Sequence, residues 1–462
     1  MDLAGRAIKH ITYPLWVYKN RSSRLKWLRA FERWQFLPGS RLREMQWTRL
    51  KRILEHAYNS CPFYRKRLEW LNIKPTDIRS WGDFTRNVPL LSKSDIQDNL
   101  CDLVSRSYSE DELIRDMTGG STGSPLVFYY TKDRLDSREA ATTRHRRWAG
   151  WEIGDKVAAL WGSRRDIQHP RTIKSRIRQF LISRYFLLDA SAITEDKMLD
   201  FAQELRVFRP KIIQGYANTL YLFARFLKSN NINGIRPKGI ISSAEVLLPE
   251  NRTFIESIFG CSVFDLYGSR EVMLIASECE SHRGMHINAD SLYVEFVRDG
   301  LPAQDNQYGE IVITDLLNYG MPLIRYRIGD VGRALERVCD CGRGLPLMEI
   351  AQGRVTEFIL TPDRRIVSGV TLATYVITNV PGIKQVQLTQ ERIDLLRVKL
   401  VRGVGYGQHS QTTLLEKLKS FLGPNMRFEF EFAENITKES SGKYRFSISK
   451  VFRGFINKDT IE

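Results

Sequence analysis

The stretch Thr118-Gly119-Gly120-Ser121-Thr122-Gly123-Ser124-Pro125-Leu126, running into Val127-Phe128-Tyr129-Tyr130, decides how this chain is read. Its three glycines let the backbone turn tightly and aim successive N–H groups at one point, which makes a phosphate cradle. Thr118, Ser121 and Thr122 add hydroxyl donors. It is not a Walker A loop, because Ser124 stands where the closing glycine and then lysine are required. By itself the segment reads equally well as a glycine–serine hairpin.

Before this loop the chain reads as helices with short breaks, with Trp47, Leu50, Leu54 and Ala57 recurring at helical spacing. After it, apolar runs at Val157–Trp161, Lys211–Gln214 and Gly239–Ser242 alternate with helical stretches at Glu195–Val207 and Thr219–Lys228. That alternation predicts an α/β fold with a partly parallel sheet. Asp290–Val297 and Glu310–Thr314 predict strands of an added β region. Beyond Gly353 the order is a strand at Phe358–Leu360, a helix near Val370–Thr378, strands at Gln385–Thr389 and Leu395–Leu400, a helix at Thr412–Leu422 and a strand at Arg427–Phe432. This βαββαβ order predicts a small ferredoxin-like α+β domain. The expected organisation is a large, multi-layered α/β domain over residues 1–352, with a helical segment at 1–110, and a small mobile C-terminal domain over 353–462.

With 42% hydrophobic and 27% charged residues over 462 positions, the composition is that of a folded globular protein and excludes a disordered or collagen-like chain. No apolar run is long enough to span a bilayer, and no secretory signal is read at the N-terminus, so a cytoplasmic enzyme is expected. The net charge is +17, and residues 1–70 supply +11 of it. A basic arm of that kind suits solvated amphipathic helices or an anionic surface. Tyr13, Leu15 and Trp16, between Lys9 and Lys19, point to peripheral membrane contact as one use of it. Nothing resembles an aromatic-lined nucleic-acid motif, so no nucleic-acid partner is expected.

Four further segments give the glycine loop its meaning. They are Ser243-Ala244-Glu245, Asp265-Leu266-Tyr267-Gly268-Ser269-Arg270-Glu271, Arg325-Tyr326-Arg327-Ile328-Gly329-Asp330 with Gly353-Arg354 further on, and Lys438-Glu439-Ser440-Ser441-Gly442-Lys443-Tyr444-Arg445. In this order they resemble the adenylate-forming (AMP-binding, acyl-CoA synthetase-like) superfamily. Within it the chain is most similar to the phenylacetate–CoA ligase branch, including CapK-like proteins associated with polysaccharide biosynthesis. Pro62-Phe63-Tyr64-Arg65 and Pro89-Leu90-Leu91-Ser92-Lys93 also look like that branch.

The resemblance implies a role for each motif. Thr118, Gly119, Gly120, Ser121, Thr122 and Gly123 would hold the ATP phosphates. Ala244 and Glu245 would line the adenine and acyl pocket, with Tyr267 stacking on the purine beside Gly268. Ser269, where the family usually has threonine, would contact the α-phosphate. Glu271 would bind Mg²⁺, whose preference for carboxylate and phosphate oxygens fits. Asp330 would accept the ribose hydroxyls, Arg354 would sit at the hinge, and Lys443 would reach the α-phosphate and substrate carboxylate from the small domain. The implied activity is ATP-dependent conversion of a small-molecule carboxylic acid to acyl-AMP, with pyrophosphate released, then transfer to CoA. An amine, an amino sugar or a carrier-protein thiol is the alternative acceptor, and a non-catalytic scaffold the second alternative. Two departures bear on this. Val355-Thr356-Glu357 replaces the paired aspartates of many relatives, and Trp161-Gly162-Ser163-Arg164-Arg165-Asp166 is too polar for an aryl-acetate pocket.

Six cysteines are too few for a disulfide scaffold. Cys279, His286, Cys339 and Cys341 supply three thiolates and one imidazole, a closed set of the structural zinc kind. His282 can stand in for His286, and a turn with reduced cysteines is the other reading. Cys61, Cys101 and Cys261 read as ordinary cysteines. The oligomeric state is left open.

Overall fold

The computed structural model describes residues 2–118, 126–161, 184–189, 195–304, 306–354, 358–363, 366–368, 372, 380–436 and 447–451. Parallel strands make up one end of the large sheet. They are β3 (Val157–Trp161), β4 (Tyr185–Asp189), β5 (Ile212–Tyr216), β6 (Gly239–Ser243) and β7 (Val263–Ser269), side by side in the order β4-β3-β5-β6-β7. The apolar runs of β3 and β6 are nearly continuous because both of their faces are covered. Helices Glu195–Phe208, Ala217–Ser229 and Pro249–Phe259 pack Phe201, Phe223 and Phe259 on one face. Helices Arg24–Trp34 and Lys132–Trp148 pack Leu28, Phe31, Ala140 and Ala141 on the other.

At β7 the sheet changes direction. β8 (Met273–Glu278) pairs antiparallel with β7, and β9 (Met285–Ile287) with β8. β10 (Leu292–Arg298), β11 (Leu301–Pro302), β12 (Gly309–Asp315), β13 (Tyr326–Leu335) and β14 (Leu347–Arg354) form the added β region. All belong to one 12-stranded sheet in which β14 meets β9 through only Leu347–His286 and Met348–Met285. Only the edge contact of β10 with β11 is as short, so this is the narrowest seam inside the sheet.

The helical N-terminal segment is as expected, and the two motifs read in it are its anchors. The Tyr64 hydroxyl donates to Pro322 O at 2.8 Å and accepts from Ile324 N–H at 3.2 Å. Leu91 bridges to Tyr326 in parallel fashion, exchanging backbone bonds with Arg325 and Arg327. The buried Arg325 guanidinium closes this joint, donating to Thr85 O and Val88 O at 2.6 Å and pairing with Glu295 at 3.0 Å. The hairpin of β1 (Leu113–Met117) and β2 (Val127–Thr131) flanks the glycine loop.

The C-terminal part has its own core and sheet. β17 (Ile383–Arg392) and β18 (Leu395–Arg402) pair antiparallel, β19 (Arg427–Phe432) adds parallel to β18, and helix Gln408–Leu422 buries Leu414, Leu418 and Leu422. The fourth strand differs from the expectation. It is β20 (Ser447–Ser449), parallel to β17, whereas Phe358–Leu360 forms β15 and pairs with β16 (Ile366–Ser368) in a separate ribbon. The Gln390 side chain holds that ribbon in place through the Leu360 N–H and carbonyl. The helix read near Val370–Thr378 lies outside the described residues apart from Leu372. No described helix is long and apolar enough to cross a membrane.

Candidate functional site

Ligands of open α/β sheets bind beyond the carboxyl ends of the parallel strands. There β6 ends in Ser243 and the chain enters Ala244 at φ +65°, a left-handed backbone unusual for a residue with a Cβ. Ala244 is exposed and Glu245 half-buried, beside the end of β7, since Ser243 pairs with Leu266. The Tyr267–Glu271 segment follows as a tight turn into β8. Gly268 is obligatory in it, because a Cβ would stand 2.2 Å from Met273 O.

The turn is joined to the Arg325–Asp330 segment twice. The Tyr267 hydroxyl donates to Asp330 Oδ2 at 2.8 Å, and the Tyr326 hydroxyl donates to Glu271 Oε1 at 3.0 Å. Each motif thus contributes one tyrosine and one carboxylate, and 63 and 55 residues of chain separate the partners. Glu271 and Tyr326 are buried, whereas Asp330 is half-buried. Arg354 pairs with Asp330 across β13 and β14.

Behind Glu271 the helix Lys132–Trp148 presents buried cations. Arg138 donates to the Glu271 carbonyl and lies 4.4 Å from the Tyr130 ring, while Arg134 pairs with the buried Asp315 at 2.8 Å. Burial and the nearby Arg134 push the Arg138 guanidinium down to about 10. Arg138 therefore connects the β1–β2 hairpin to the turn that carries Glu271. At the base of the glycine loop, Thr118 N–H donates to Leu126 O and Leu126 N–H to Thr118 Oγ1, both at 2.9 Å. Gly119, Gly120, Ser121, Thr122 and Gly123 lie outside the described residues, as does Lys443.

Sequence reasoning gave no role to Tyr326, Arg138 or Asp265, although Tyr326 and Asp265 stand inside the quoted motifs. Asp265, half-buried on β7, is pushed up to about 7 by burial and by the Glu278 carboxylate. Glu278 in turn takes Arg252 on both oxygens at 2.8 Å.

Cys279, His286, Cys339 and Cys341 converge, with all four ligand atoms within 4.8 Å of one another. Cys279 Sγ lies 3.6 Å from Cys339 Sγ, and Cys341 Sγ 3.3 Å from His286 Nε2. A tetrahedral zinc with bonds of about 2.0–2.3 Å needs ligand separations of roughly 3.5–3.8 Å, so the donor set fits. His286 Nδ1 sits 3.0 Å from Leu345 O, which fixes the ring with Nε2 turned toward the thiols. His282 is not in the cluster; its Nδ1 contacts Glu278 at 3.2 Å.

Comparison with solved structures gives the class of the fold. Solved structures of 2-hydroxyisobutyryl-CoA ligase match with a TM-score of 0.70 in the postadenylation state, at 19% identity over 93% of this chain and 94% of that one. ATP-bound MatB from Rhodopseudomonas palustris matches with a TM-score of 0.50, at 14% identity over 77% and 71%. The fold is that of the adenylate-forming ligases. Sequence relatives narrow it further. Protein CapK of Staphylococcus aureus is 25% identical over 88% of this chain and 89% of its own length. Phenylacetate-coenzyme A ligase of Escherichia coli (strain K12) is 28% identical over 69% and 72%. Residues 359–450 match the CapK C-terminal domain family. The expected likeness to the phenylacetate–CoA ligase and CapK branch of the superfamily is borne out.

Proposed function

We propose that this protein uses ATP to activate a carboxylic acid as acyl-AMP, releasing pyrophosphate, and then passes the acyl group to CoA. The observation that carries the reading is the double tyrosine–carboxylate joint, Tyr267–Asp330 and Tyr326–Glu271. It joins the carboxylates of two distant motifs beside the end of β7, which supports Asp330 as the acceptor of ribose hydroxyls and Glu271 as the Mg²⁺ ligand. In this reading the substrate carboxylate attacks the α-phosphate, an anion meeting an anion. Glu271 would hold Mg²⁺, which would supply positive charge at the phosphates. Residues Gly119, Gly120, Ser121, Thr122 and Gly123 steady the departing pyrophosphate with Thr118 closing their base, and Ser269 faces the α-phosphate. Ala244, Glu245, Tyr267 and Gly268 bound the adenine, and Lys443 supplies the last positive charge. The chain divides at residue 353, within the last two residues of β14, so that Arg354 serves the hinge and the smaller part carries Lys443 in and out. Zinc held by Cys279, His286, Cys339 and Cys341 is structural, because four protein ligands leave no open position.

A second reading keeps adenylation but gives the acyl group to an amine, an amino sugar or a carrier-protein thiol. The longer alignment with CapK, 88% of the chain against 69% for the phenylacetate-coenzyme A ligase, favours it. Pyrophosphate release measured over a panel of carboxylic acids, with and without CoA, tests both. Release with CoA-ester product supports the first reading and release without it the second, whereas no release with any acid leaves a non-catalytic scaffold.

A further inference from the structure

The first helix is apolar on two sides, and only one of them is covered. Residues Leu3–Lys19 run as an α-helical turn, a π-helical turn at Ile8–Thr12 and a second α segment at Tyr13–Lys19. Pro14 lacks the N–H that would continue the ladder, and the wider turn before it absorbs the break. The inner face buries Gly5, Ile8 and Val17 and packs Tyr13 on the core. Asp2 fastens it with two 2.6 Å bonds to Arg184, and Lys9 with a 3.0 Å ion pair to Glu152. On the outer face Leu3, Ile11, Leu15 and Tyr18 are 83%, 57%, 61% and 84% exposed, with Ala7 between the first two. Steps of four and three residues put Ala7, Ile11, Leu15 and Tyr18 on one side of a helix. An apolar helix on both sides is normally a buried one.

The charge around this stripe selects what covers it. Between Asp2 and Glu32 the chain has no acidic residue, and it has seven Lys or Arg. Arg6, His10, Lys19 and Arg21 are exposed on the helix or just after it, and Lys26 and Arg29 on the next. We propose that the Leu3–Tyr18 stripe, with these cations, docks the protein on an anionic lipid surface, the helix lying in the interface plane. A second copy fits poorly, because a symmetric contact would set residues 3–31 of each chain, seven Lys or Arg without an acidic residue, against one another. Leu3, Ile11 and Leu15 are aliphatic, and Tyr18 alone is a single exposed ring rather than a row on which successive nucleobases stack. The proposal does not depend on the ligase reading.

Co-sedimentation of the intact protein with vesicles tests it, using pure phosphatidylcholine against phosphatidylcholine with about a quarter phosphatidylglycerol. The protein should sediment with the anionic vesicles only, and release in high salt. Ile11→Ser with Leu15→Ser should lower the partition on the order of tenfold or more, at an unchanged melting temperature. Arg6→Gln with Lys19→Gln and Arg21→Gln should lower it and weaken its salt dependence. Equal binding to both vesicles, or undiminished binding by the Ile11/Leu15 variant, overturns the proposal. So does a dimer in light scattering that this variant loses, or an oligonucleotide complex with no vesicle binding.

Discussion

Stripping the metal from the Cys/His cluster should loosen the sheet at a known place. Cys279 follows β8, His286 lies on β9, and Cys339 and Cys341 lie in the turn between β13 and β14. The cluster therefore spans the β9–β14 seam, which otherwise rests on two residue pairs. Ligand bound at about a thousand times its dissociation constant stabilises the folded state by about 4 kcal/mol. For 462 residues, an unfolding entropy of about 2.1 cal/mol/K per residue gives roughly 1 kcal/mol per kelvin, hence a fall of about 4 °C in melting temperature on chelation. Calorimetry with and without a chelator reads that fall, and elemental analysis of untagged protein reads about one zinc per chain. Cys341→Ser should melt lower, carry less metal and show no further loss with the chelator. Hydrogen exchange should quicken in the peptides holding β9 and Leu347–Met348 and stay unchanged in β19. A zinc-free preparation that melts and exchanges like the parent would refute the reasoning.

Other outcomes follow from the nucleotide end. Tyr326→Phe removes a bond to a buried carboxylate worth about 1.5–3 kcal/mol. The Mg²⁺ concentration for half-maximal pyrophosphate exchange should rise about tenfold or more, and an unchanged midpoint would dismiss Tyr326 as a positioning residue. Lys443→Ala should slow acyl-AMP formation by about 10²–10³ while sparing transfer from supplied acyl-AMP; equal damage to both half-reactions would point elsewhere. Asp265, pushed up to about 7, holds its proton more tightly folded than unfolded. Its stabilising contribution is full below the ordinary carboxyl value of 3.8 and is lost as pH rises through 7. Asp265→Asn should therefore flatten the fall in melting temperature from about pH 5 to pH 8, and a parallel fall in both proteins would count against the assignment.

Strands whose two faces are covered were legible because nothing but burial shapes them. Val157–Trp161, buried almost throughout, coincides with the observed β3, whereas Arg427–Phe432 coincides with β19, a largely exposed edge strand in which Phe alternates with charged residues. The convergence of Cys279, His286, Cys339 and Cys341 was legible because cysteine and histidine are scarce enough for spacing to mean something. What stayed hidden depends on contacts between distant segments. Ser447–Ser449 has one aliphatic side chain and becomes a strand only because β17 offers it an edge. Phe358–Leu360 reads as a strand and is one, but Gln390 at its side decides which sheet it does not join. Tyr326 carries no local signal of its bond to Glu271; its register on β13 creates it.

The candidate site is built across a join rather than within one half of the sheet. Glu245, Tyr267 and Glu271 come from the ends of β6 and β7 and the turn into β8, whereas Asp330 and Tyr326 come from β13 in the antiparallel half. Between them lie β8, β9 and β14, and β9 is three residues long. A shift of one residue at that seam would turn the side chains on β13 to the opposite face. The register is clamped at both ends. Tyr267–Asp330 and Tyr326–Glu271 hold the end where the parallel strands open. Cys279 just past β8 and Cys339 just past β13 converge at the other, with His286 between them on β9. In the proposed reading, the first clamp is the one that would touch the nucleotide. The second would then matter to chemistry through distance alone: its release should let β13 shift against β7, and Asp330, half-buried and bonded to the Tyr267 hydroxyl at 2.8 Å, is the carboxylate whose position should change with it.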